Sequence, residues 1–486
     1  MGIKKIAVYG LLSAAAIAFA VYSPEIGRFG GRAYLSHKKA EKERTEERAF
    51  LEEKADIEAK IKAISEGKLR AEFKPEYKKD LSYVLMSYNP YGIGDESKWI
   101  DSRLEIIKNL PSYSKVLMLV EKDSKKVFLD RMKSLPEQRR KQITVKQYSM
   151  KSLDDSFPQN IGRGTYKLFF ASEDKRHLTE DMRKLGINAV TSPLHVTGGN
   201  MTLARNNAGK NILFAGFDSY QISCDLFKEH GFDLSIIKDL YKKSFQADEV
   251  IIVDHIEKRV AFKLTTVFHN DQVFVPLDEG VMAVQKLPDT NLDAIKKYPL
   301  FLDEFKKAKN AGLDITLLMD YFALETRHFP EQGIFEIGVD IHPEIKKNFT
   351  QEQLDVVSKY KKNLRDFYHH HLSQRFEQTE ELIRSNGFRV VNLQVDLAHI
   401  ALAQSYVNLV PFIDRENVRR SILLPIFPQS YSGIQGIEHP VYPSLDKLDG
   451  LNKINKEILE KEGFFVIPIC SEYEGGGNTF CLMNAL

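Results

Sequence analysis

The segment from Glu474 to Cys481, near the C-terminus, contains residue types suited to nucleophilic chemistry. Three successive glycines, ending at Gly477, allow the backbone to turn sharply and to approach a ligand closely. Cys481 follows four residues later and is a candidate nucleophile, because a thiolate readily forms covalent intermediates. Free cysteine is also a common core residue, so a buried cysteine in a C-terminal strand is the structural alternative.

A second segment places an imidazole two residues from a carboxylate. His269 and Asp271 precede an apolar stretch over Gln272–Leu277. We expect this segment to be extended, so that alternation puts both side chains on one face. Such a pair can relay a proton to a leaving group and then activate water. His-x-Asp spacing is also frequent on protein surfaces, so the pair alone does not define a site.

A third segment is a tight glycine turn formed by Gly198 and Gly199, which lies between Thr197 and Asn200 and is followed by a polar stretch. Glycines at such a turn allow close approach of the backbone to a ligand. Taken separately, none of the three segments defines a function.

Short apolar strands alternate with helical patterns along the chain, which predicts an α/β fold. The predicted strands are Ser82–Ser87, Lys115–Glu121, Lys167–Phe170, Asn211–Ala215, Glu249–Val253, Gln272–Val275, Val390–Leu393, Ser421–Ile426 and Phe464–Ile469. The predicted helices include Asp101–Asn109, Ser124–Leu135 and Leu445–Glu462. A doubly wound sheet is the default for such alternation, but neither a GxGxxG nor a P-loop sequence supports it. Internal repeats are too weak to establish a propeller from the sequence alone.

Composition excludes two classes of protein. The 486 residues carry 69 Lys and Arg against 67 Asp and Glu, a formal net charge of +2, so the chain lacks the positive excess typical of nucleic-acid binders. Only three cysteines are present, which excludes a disulfide framework. Hydrophobic residues make up 43% and charged residues 28%, an ordinary balance for a globular protein.

The first 72 residues differ from the rest of the chain. An apolar run over Ile6–Tyr22 follows two lysines, which predicts a signal peptide or membrane anchor at 1–23 and an exported or membrane-anchored protein. A glycine-containing spacer from Pro24 to Arg32 and a charged helical stalk over Ser36–Lys68 follow, with a partner-binding coiled coil as the alternative for the stalk. The main domain is predicted at 73–486, with a helical elaboration around 291–386.

The order of the three chemical segments resembles the agmatine deiminase and bacterial peptidylarginine deiminase family of the guanidino-group modifying (pentein) superfamily. A Gly-Gly-Asn turn, a His-x-Asp pair and a Gly-Gly-Gly-x-x-x-Cys segment follow one another in that order. Further segments also resemble the family. They are Phe73–Tyr77, Asp154–Asn160, Ser405–Asn408 and Leu423–Gln429. The resemblance runs from Phe73 to Leu486, is divergent, and leaves the elaboration unmatched.

The resemblance implies a five-module ββαβ propeller with the active site on its axis. It also implies that Cys481 attacks a guanidinium carbon, that His269 is the general acid/base and that Asp271 binds the guanidinium nitrogens. Ammonia leaves, and water hydrolyses the covalent thiouronium. The positions implied for substrate binding are Asp155, Asn160, Thr197, Gly198, Gly199 and Gly477. This chemistry requires neither a cofactor nor a metal ion.

Two positions depart from the family pattern. The Arg-Asp pair expected at 159–160 reads Gln159-Asn160, and the glutamate expected before the glycine turn is Thr197. Each lost carboxylate removes charge-assisted hydrogen bonds worth roughly 1.5–3 kcal/mol. Thr197 also cannot stabilise an imidazolium as a glutamate would.

Three hypotheses therefore remain. The chain is an active deiminase of agmatine, arginine or peptidyl-arginine, with Asp154, Asp155 or Glu474 supplying the missing charge. Alternatively, the cysteine, histidine and aspartate act on a less cationic substrate. In the third hypothesis catalysis is lost and the domain is an anchored binding or scaffold protein. The expected partner is a small molecule or peptide carrying a guanidino group, with the membrane added if the N-terminal segment is retained. The oligomeric state is left open.

The remaining candidate residues are predicted to be structural. His369, His370 and His371 are consecutive in a helical pattern, where neighbours do not share a face, so a metal site is not expected. Cys224 and Cys470 are expected to be core residues.

Overall fold

The chain divides into two units, Met1–Glu66 and Gly67–Leu486. The computed structural model describes residues 24–70, 77, 81–88, 96–121, 124–148, 161–162, 169–172, 183, 189–196, 198–253, 270–287, 350–352, 373, 375–395, 405–427, 430–432, 439–441, 448, 450–470 and 483–485. The first unit contains helix α1, Pro24–Ser65. The stretch predicted as a glycine-containing spacer, Pro24 to Arg32, belongs to this helix. In the described ranges no helix has the length and apolarity needed to cross a bilayer. The apolar run Ile6–Tyr22 lies outside those ranges.

Five sheets in the described part of the second unit contain one common pattern, in which an antiparallel pair of strands is followed by a parallel pair. Sheet 1 has a further parallel strand. Sheet 1 contains β1 (Tyr83–Tyr88), β2 (Lys115–Glu121), β3 (Ile143–Tyr148) and the C-terminal β18 (Met483–Ala485). Sheet 2 contains β4 (Ile161–Gly162), β5 (Phe169–Ser172) and β6 (Ala189–Ser192). Sheet 3 contains β7 (Met201–Arg205), β8 (Asn211–Gly216) and β9 (Glu249–Val253). Sheet 4 contains β10 (Phe274–Asp278), β11 (Val281–Lys286) and β12 (Arg389–Gln394). Sheet 5 contains β13 (Val410–Asp414), β14 (Arg419–Ile426) and β17 (Phe465–Cys470), and a separate hairpin joins β15 (Ser430–Ser432) to β16 (His439–Val441).

In sheets 1, 3, 4 and 5, helices connect the parallel strands, because a parallel pair requires a crossover connection. They are α2 (Glu96–Asn109), α3 (Lys125–Met132) and α4 (Glu137–Arg140) in sheet 1, α5 (Phe217–Glu229) and α6 (Ile237–Ser244) in sheet 3, α7 (375–385) in sheet 4 and α8 (Gly450–Lys461) in sheet 5. The predicted α/β fold is confirmed.

Sheets 3, 4, 5 and 1 contact one another in that order at the end that carries the β-hairpin turns. Sheet 3 meets sheet 4 through the Gly280 amide, which donates to the Arg205 carbonyl at 2.8 Å. Sheet 4 meets sheet 5 through Arg389, whose two terminal nitrogens bind the Glu462 carboxylate at 3.0 and 2.5 Å. Sheet 5 meets sheet 1 through the Tyr113 hydroxyl, which donates to the Ile413 carbonyl at 3.3 Å.

Sheets 1 and 5 also share one apolar core. Val84 and Met118 of sheet 1 belong to the same buried cluster as Phe412 and Ile469 of sheet 5. Because the antiparallel strand β18 completes sheet 1, with Met483 opposite Met86, residues from both ends of the second unit lie in one sheet.

Two asparagines on one face of α8 bind strand ends at the opposite end of the sheets. Asn452 accepts from the Phe427 amide at 3.0 Å and donates to the Phe427 carbonyl at 2.9 Å, and it also accepts from the Tyr406 hydroxyl at 2.9 Å. Asn455 holds the amide and carbonyl of Gln394 in the same way, at 2.7 and 2.8 Å. These amides replace the hydrogen bonds that each strand loses where its ladder ends.

We expect Asn452→Ala to lower the free energy of unfolding by about 3 kcal/mol, because it removes three hydrogen bonds and leaves buried partners unsatisfied. Urea denaturation would measure the change. Lys453→Ala is the control, since its side chain is 59% exposed and the expected change is within about 0.5 kcal/mol. Equal midpoints for the two variants would contradict the role given to Asn452.

Candidate functional site

The chain that enters the Gly-Gly-Asn turn is held by helices α5 and α6. The Tyr241 hydroxyl of α6 donates to the His195 carbonyl at 2.6 Å, and the His195 amide donates to the Ser223 hydroxyl of α5 at 2.9 Å. Tyr241 is fully buried, and burial raises its pKa, so that the phenol stays a neutral donor. These bonds fix the backbone two residues before Thr197.

The Gly-Gly-Asn turn and the turn that carries Asp271 are bonded to each other. Residues Gly198–Asn200 form a 3-10 turn, and the buried Asn200 side-chain oxygen accepts from the Asn270 amide at 3.0 Å. In return, the Asn270 side chain donates to the Asn200 carbonyl at 3.1 Å. The structure therefore brings together two of the three chemical segments. The stretch after the turn, predicted as polar, is strand β7, and its first four residues are buried.

The expectation that Asp271 lies in an extended segment is wrong. Residues Asn270–Gln272 form a 3-10 turn, and β10 begins only at Phe274. The bonds between Asn270 and Asn200 favour this turn over an extended strand. Asp271 is 2% exposed, so its carboxylate is shielded from bulk water.

Sheet 5 and strand β11 hold the same turn from the other side. The Ser405 hydroxyl donates to the Gln272 carbonyl at 2.9 Å, and the Asn408 side chain donates to the Asp271 carbonyl at 3.4 Å. Gln285 of β11 donates to the Ser405 hydroxyl at 2.5 Å and also to the Gln272 carbonyl. The Ser-x-x-Asn segment noted in the sequence thus supports the Asp271 turn directly.

A carboxylate that the sequence analysis did not identify lies beside the Gly-Gly-Asn turn. Asp218, in the first turn of α5, accepts from the Asn200 side chain and from the Ser219 amide, each at 2.6 Å. Burial raises the pKa of Asp218. Asn270, Gln285 and Asp218 were all missed. The signal for Gln285 is a polar residue at the end of an apolar run, and the signal for Asn270 is its place between His269 and Asp271; nothing marks Asp218.

Of the predicted site residues, Asp271, Gly198 and Gly199 lie in the described residues and belong to the two bonded turns. The others lie outside them: Cys481, His269, Asn160, Thr197, Asp155 and Gly477. The same holds for Asp154, Glu474 and the three consecutive histidines. In the described portion of the chain, no three His, Cys, Asp or Glu side chains are grouped to hold a metal ion.

The two other cysteines lack the properties of a nucleophile. Burial raises the pKa of the Cys470 thiol, on β17, to about 11. Burial also raises the pKa of Cys224, on α5. A reactive cysteine has a depressed pKa, so neither thiol has the character of a nucleophile. Both cysteines are only partly buried, so the expectation that they are core residues is wrong.

The segments described above adjoin strand termini that all lie at one end of the sheets. Asn200, Asn270 and Asn408 precede β7, β10 and β13, while Phe427 follows β14. The hairpin turns lie at the other end. Met483, the first residue of β18, pairs with Met86 in the second half of β1 and so lies toward the end that carries the polar turns.

Comparisons with known proteins found no matching family model and no matching curated protein. The chain is similar to the solved structure of agmatine deiminase from C. jejuni, with 12% identity and a TM-score of 0.48 over 85% of this chain and 94% of that chain. For agmatine deiminase from Enterococcus faecalis the identity is 12% and the TM-score 0.44, over 87% of this chain and 96% of that chain. A structure provisionally described as a peptidyl-arginine deiminase is 12% identical, with a TM-score of 0.46, over 86% of this chain and 98% of that chain. These structural neighbours are thus deiminases of agmatine or, provisionally, of peptidyl-arginine.

Proposed function

We propose that the chain is a hydrolase of the deiminase type that acts on a guanidino group through a covalent cysteine intermediate. One observation carries this proposal: the buried Asp271 turn is bonded to the Gly-Gly-Asn turn on one side and to Ser405 and Asn408 on the other. These contacts join three segments that are far apart in the sequence at one end of the sheets. Buried polar networks of this kind hold a catalytic group in a fixed position.

In the proposed reaction, the Cys481 thiolate attacks the guanidinium carbon and forms a carbon–sulfur bond. His269 donates a proton to the departing nitrogen, and ammonia leaves as the carbon–nitrogen bond breaks. His269 then removes a proton from water, which attacks the thiouronium carbon. The carbon–sulfur bond breaks, releasing a ureido product and the thiolate. Asp271 binds the guanidinium nitrogens throughout.

The position of β18 supports the assignment of Cys481. Cys481 precedes Met483 by two residues, a span of at most about 7 Å of extended chain. Met483 is anchored opposite Met86, toward the end of sheet 1 that corresponds to the bonded turns in sheets 3 and 4.

We further propose that the five sheets close into the ββαβ propeller that the resemblance implies. Support comes from the repeated strand pattern, from the contacts of sheets 3, 4, 5 and 1 in chain order, and from β18, which completes the first sheet. The polar turns would then surround one mouth of the central axis. Export or membrane anchoring through residues 1–23 and a helical stalk over 24–72 remain proposals from the sequence.

A second candidate is an anchored binding or scaffold protein without catalysis. Asn160 and Thr197 favour it, because neither supplies the negative charge expected for binding a guanidinium ion. A third, intermediate candidate is a cysteine hydrolase for a less cationic substrate.

Two measurements on the full-length chain separate the three candidates. The first is ammonia release from agmatine, arginine and arginine-containing peptides. The second is the rate of iodoacetamide labelling at pH 7 of Cys481 against Cys470, resolved by mass spectrometry. We expect turnover of at least one compound and labelling of Cys481 at least about ten-fold faster, because its thiol must have a depressed pKa. Fast labelling without turnover would indicate another substrate. Slow labelling without turnover would overturn the enzyme proposal.

A further inference from the structure

We propose that Asp218 and Asn200 are positioning residues. Asp218 sets the orientation of the Asn200 amide, and Asn200 fixes the turn that carries Asp271. The consequence for catalysis rests on the proposed function. The positioning itself does not rest on the proposed function, because it concerns hydrogen bonds between described residues.

The first step is the orientation of the Asn200 side chain. A primary amide presents a carbonyl oxygen on one side and an NH₂ group on the other, and a rotation by half a turn exchanges them. The Asp218 oxygen that faces Asn200 also accepts from the Ser219 amide, so it acts as an acceptor. Asp218, at 2.6 Å, therefore selects the NH₂ group. The Asn200 oxygen is left facing the Asn270 amide at 3.0 Å, where an acceptor is required.

The second step is what the Asn270 amide controls. It belongs to the peptide group that joins residues 269 and 270, and Asp271 follows directly. Fixing this amide and the Asn270 side chain therefore fixes the plane of the peptide group at the centre of the His-x-Asp pair. Ser405 and Asn408 hold the carbonyl side of the same turn, at 2.9 and 3.4 Å. Asn200 thus makes the two shorter bonds from sheet 3 to the turn, and the Asn270 side chain also lies 3.5 Å from the Phe214 carbonyl of β8.

The third step is the space around Asn200. Gly216 ends β8, and a Cβ atom at this position would lie 2.6 Å from the Asn200 Cγ and 2.7 Å from its Oδ1. Real Cβ atoms do not approach so closely, so only glycine leaves room for the observed side-chain position. Gly216→Ala is therefore expected to move Asn200 without altering any polar group.

Exchanging the two side chains tests the proposal. In Asn200→Asp, two carboxylates face each other at the former hydrogen bond, and one must move or take up a proton. In Asp218→Asn, the new side-chain amide can present either its oxygen or its NH₂ group to Asn200, so the orientation of Asn200 is selected less strongly. In the double variant, the carboxylate at position 200 accepts both from the amide at position 218 and from Asn270. Part of the original geometry is then restored, although the Ser219 amide loses its acceptor.

Amide hydrogen exchange at Asn270, resolved by mass spectrometry with electron-transfer fragmentation, is the readout, and it needs no substrate. We expect exchange about ten-fold faster or more in Asn200→Asp and in Gly216→Ala. We expect a smaller acceleration in Asp218→Asn than in Asn200→Asp, and at least partial recovery in the double variant relative to Asn200→Asp. Unchanged exchange in Asn200→Asp, or a double variant no better than that single variant, would overturn the proposal.

Asn206→Asp is the matched control. Asn206 lies just beyond the other end of β7 and also links sheet 3 to sheet 4, by donating to the Asn386 carbonyl at 2.9 Å. Its replacement is expected to lower overall stability while leaving exchange at Asn270 unchanged under native conditions. Equal acceleration at Asn270 in this control would show general loosening and would contradict a specific role for Asn200.

If the chain turns over a guanidino compound, kcat/KM should fall in Asn200→Asp, recover in part in the double variant and remain unchanged in the control. If no compound is turned over while the exchange pattern is as expected, the proposed function fails and the positioning role stands.

Discussion

Cys481→Ala is expected to abolish ammonia release, with a loss of at least about 10⁴-fold in kcat, because no other group in the proposed mechanism can form the covalent intermediate. Ammonia would be measured with a coupled assay at saturating substrate. The variant should retain the urea midpoint of the parent chain, since an alanine differs from cysteine only by the thiol.

Cys470→Ala provides the matched control for this substitution. With a pKa of about 11, only about one Cys470 thiol in a thousand is ionised at pH 8. Because this group is deprotonated only well above neutral pH, it contributes no thiolate under assay conditions, and full turnover is expected. Turnover that persists in Cys481→Ala, or that vanishes in Cys470→Ala, would show that the nucleophile has been misassigned.

Asp271→Asn is expected to lower kcat/KM for a cationic guanidino substrate by about 10²-fold. An amide keeps the shape of the side chain but replaces charge-assisted hydrogen bonds with neutral ones of about half the strength, a difference on the order of 1–1.5 kcal/mol for each of two bonds. Because the group is buried, solvent does not compensate for the missing charge. Steady-state kinetics with agmatine and with an arginine peptide would measure the effect.

The control for this change lies on the strand that follows the turn. Asp278 ends β10 at the opposite end of the sheet, where its partly exposed carboxylate pairs with Arg420. Asp278→Asn removes the same charge away from the proposed site, so kcat/KM is expected to stay within about two-fold of the parent value. An equal loss in both variants would indicate a general electrostatic effect rather than contact with substrate.

Local sequence patterns predicted the strands that stand out by their own composition. Strands β2 and β9 have the predicted bounds, Lys115–Glu121 and Glu249–Val253, because each is a short apolar run flanked by polar residues. Strand β7 was missed because Thr202 and Arg205 interrupt its apolar pattern, although the first four residues are buried between neighbouring elements. Burial imposed by tertiary contacts overrides local composition in such strands.

The candidate site was predicted only in part, for a related reason. The three chemical segments were recognised from residue type and order, but the bonds between them join residues that are distant along the chain. Asn270 and Asn200 are separated by 70 positions, and Asn408 and Asp271 by 137. Neither pairing has a local sequence signature. The 3-10 turn at Asn270 was predicted to be extended for the same reason, since its conformation depends on a partner in another sheet.

The pairing of β18 with β1 has a consequence for how the chain is made. Val84 pairs with Ala485, so about 400 residues must be synthesised before the edge of β1 meets this partner. At translation rates of roughly 5–20 residues per second, that interval is roughly 20–80 s. An unpaired strand edge is a template for association with other chains, and closure of so long a loop is slow. The N-terminal sheet of this domain is therefore the part of the nascent protein with the longest need for protection by chaperones.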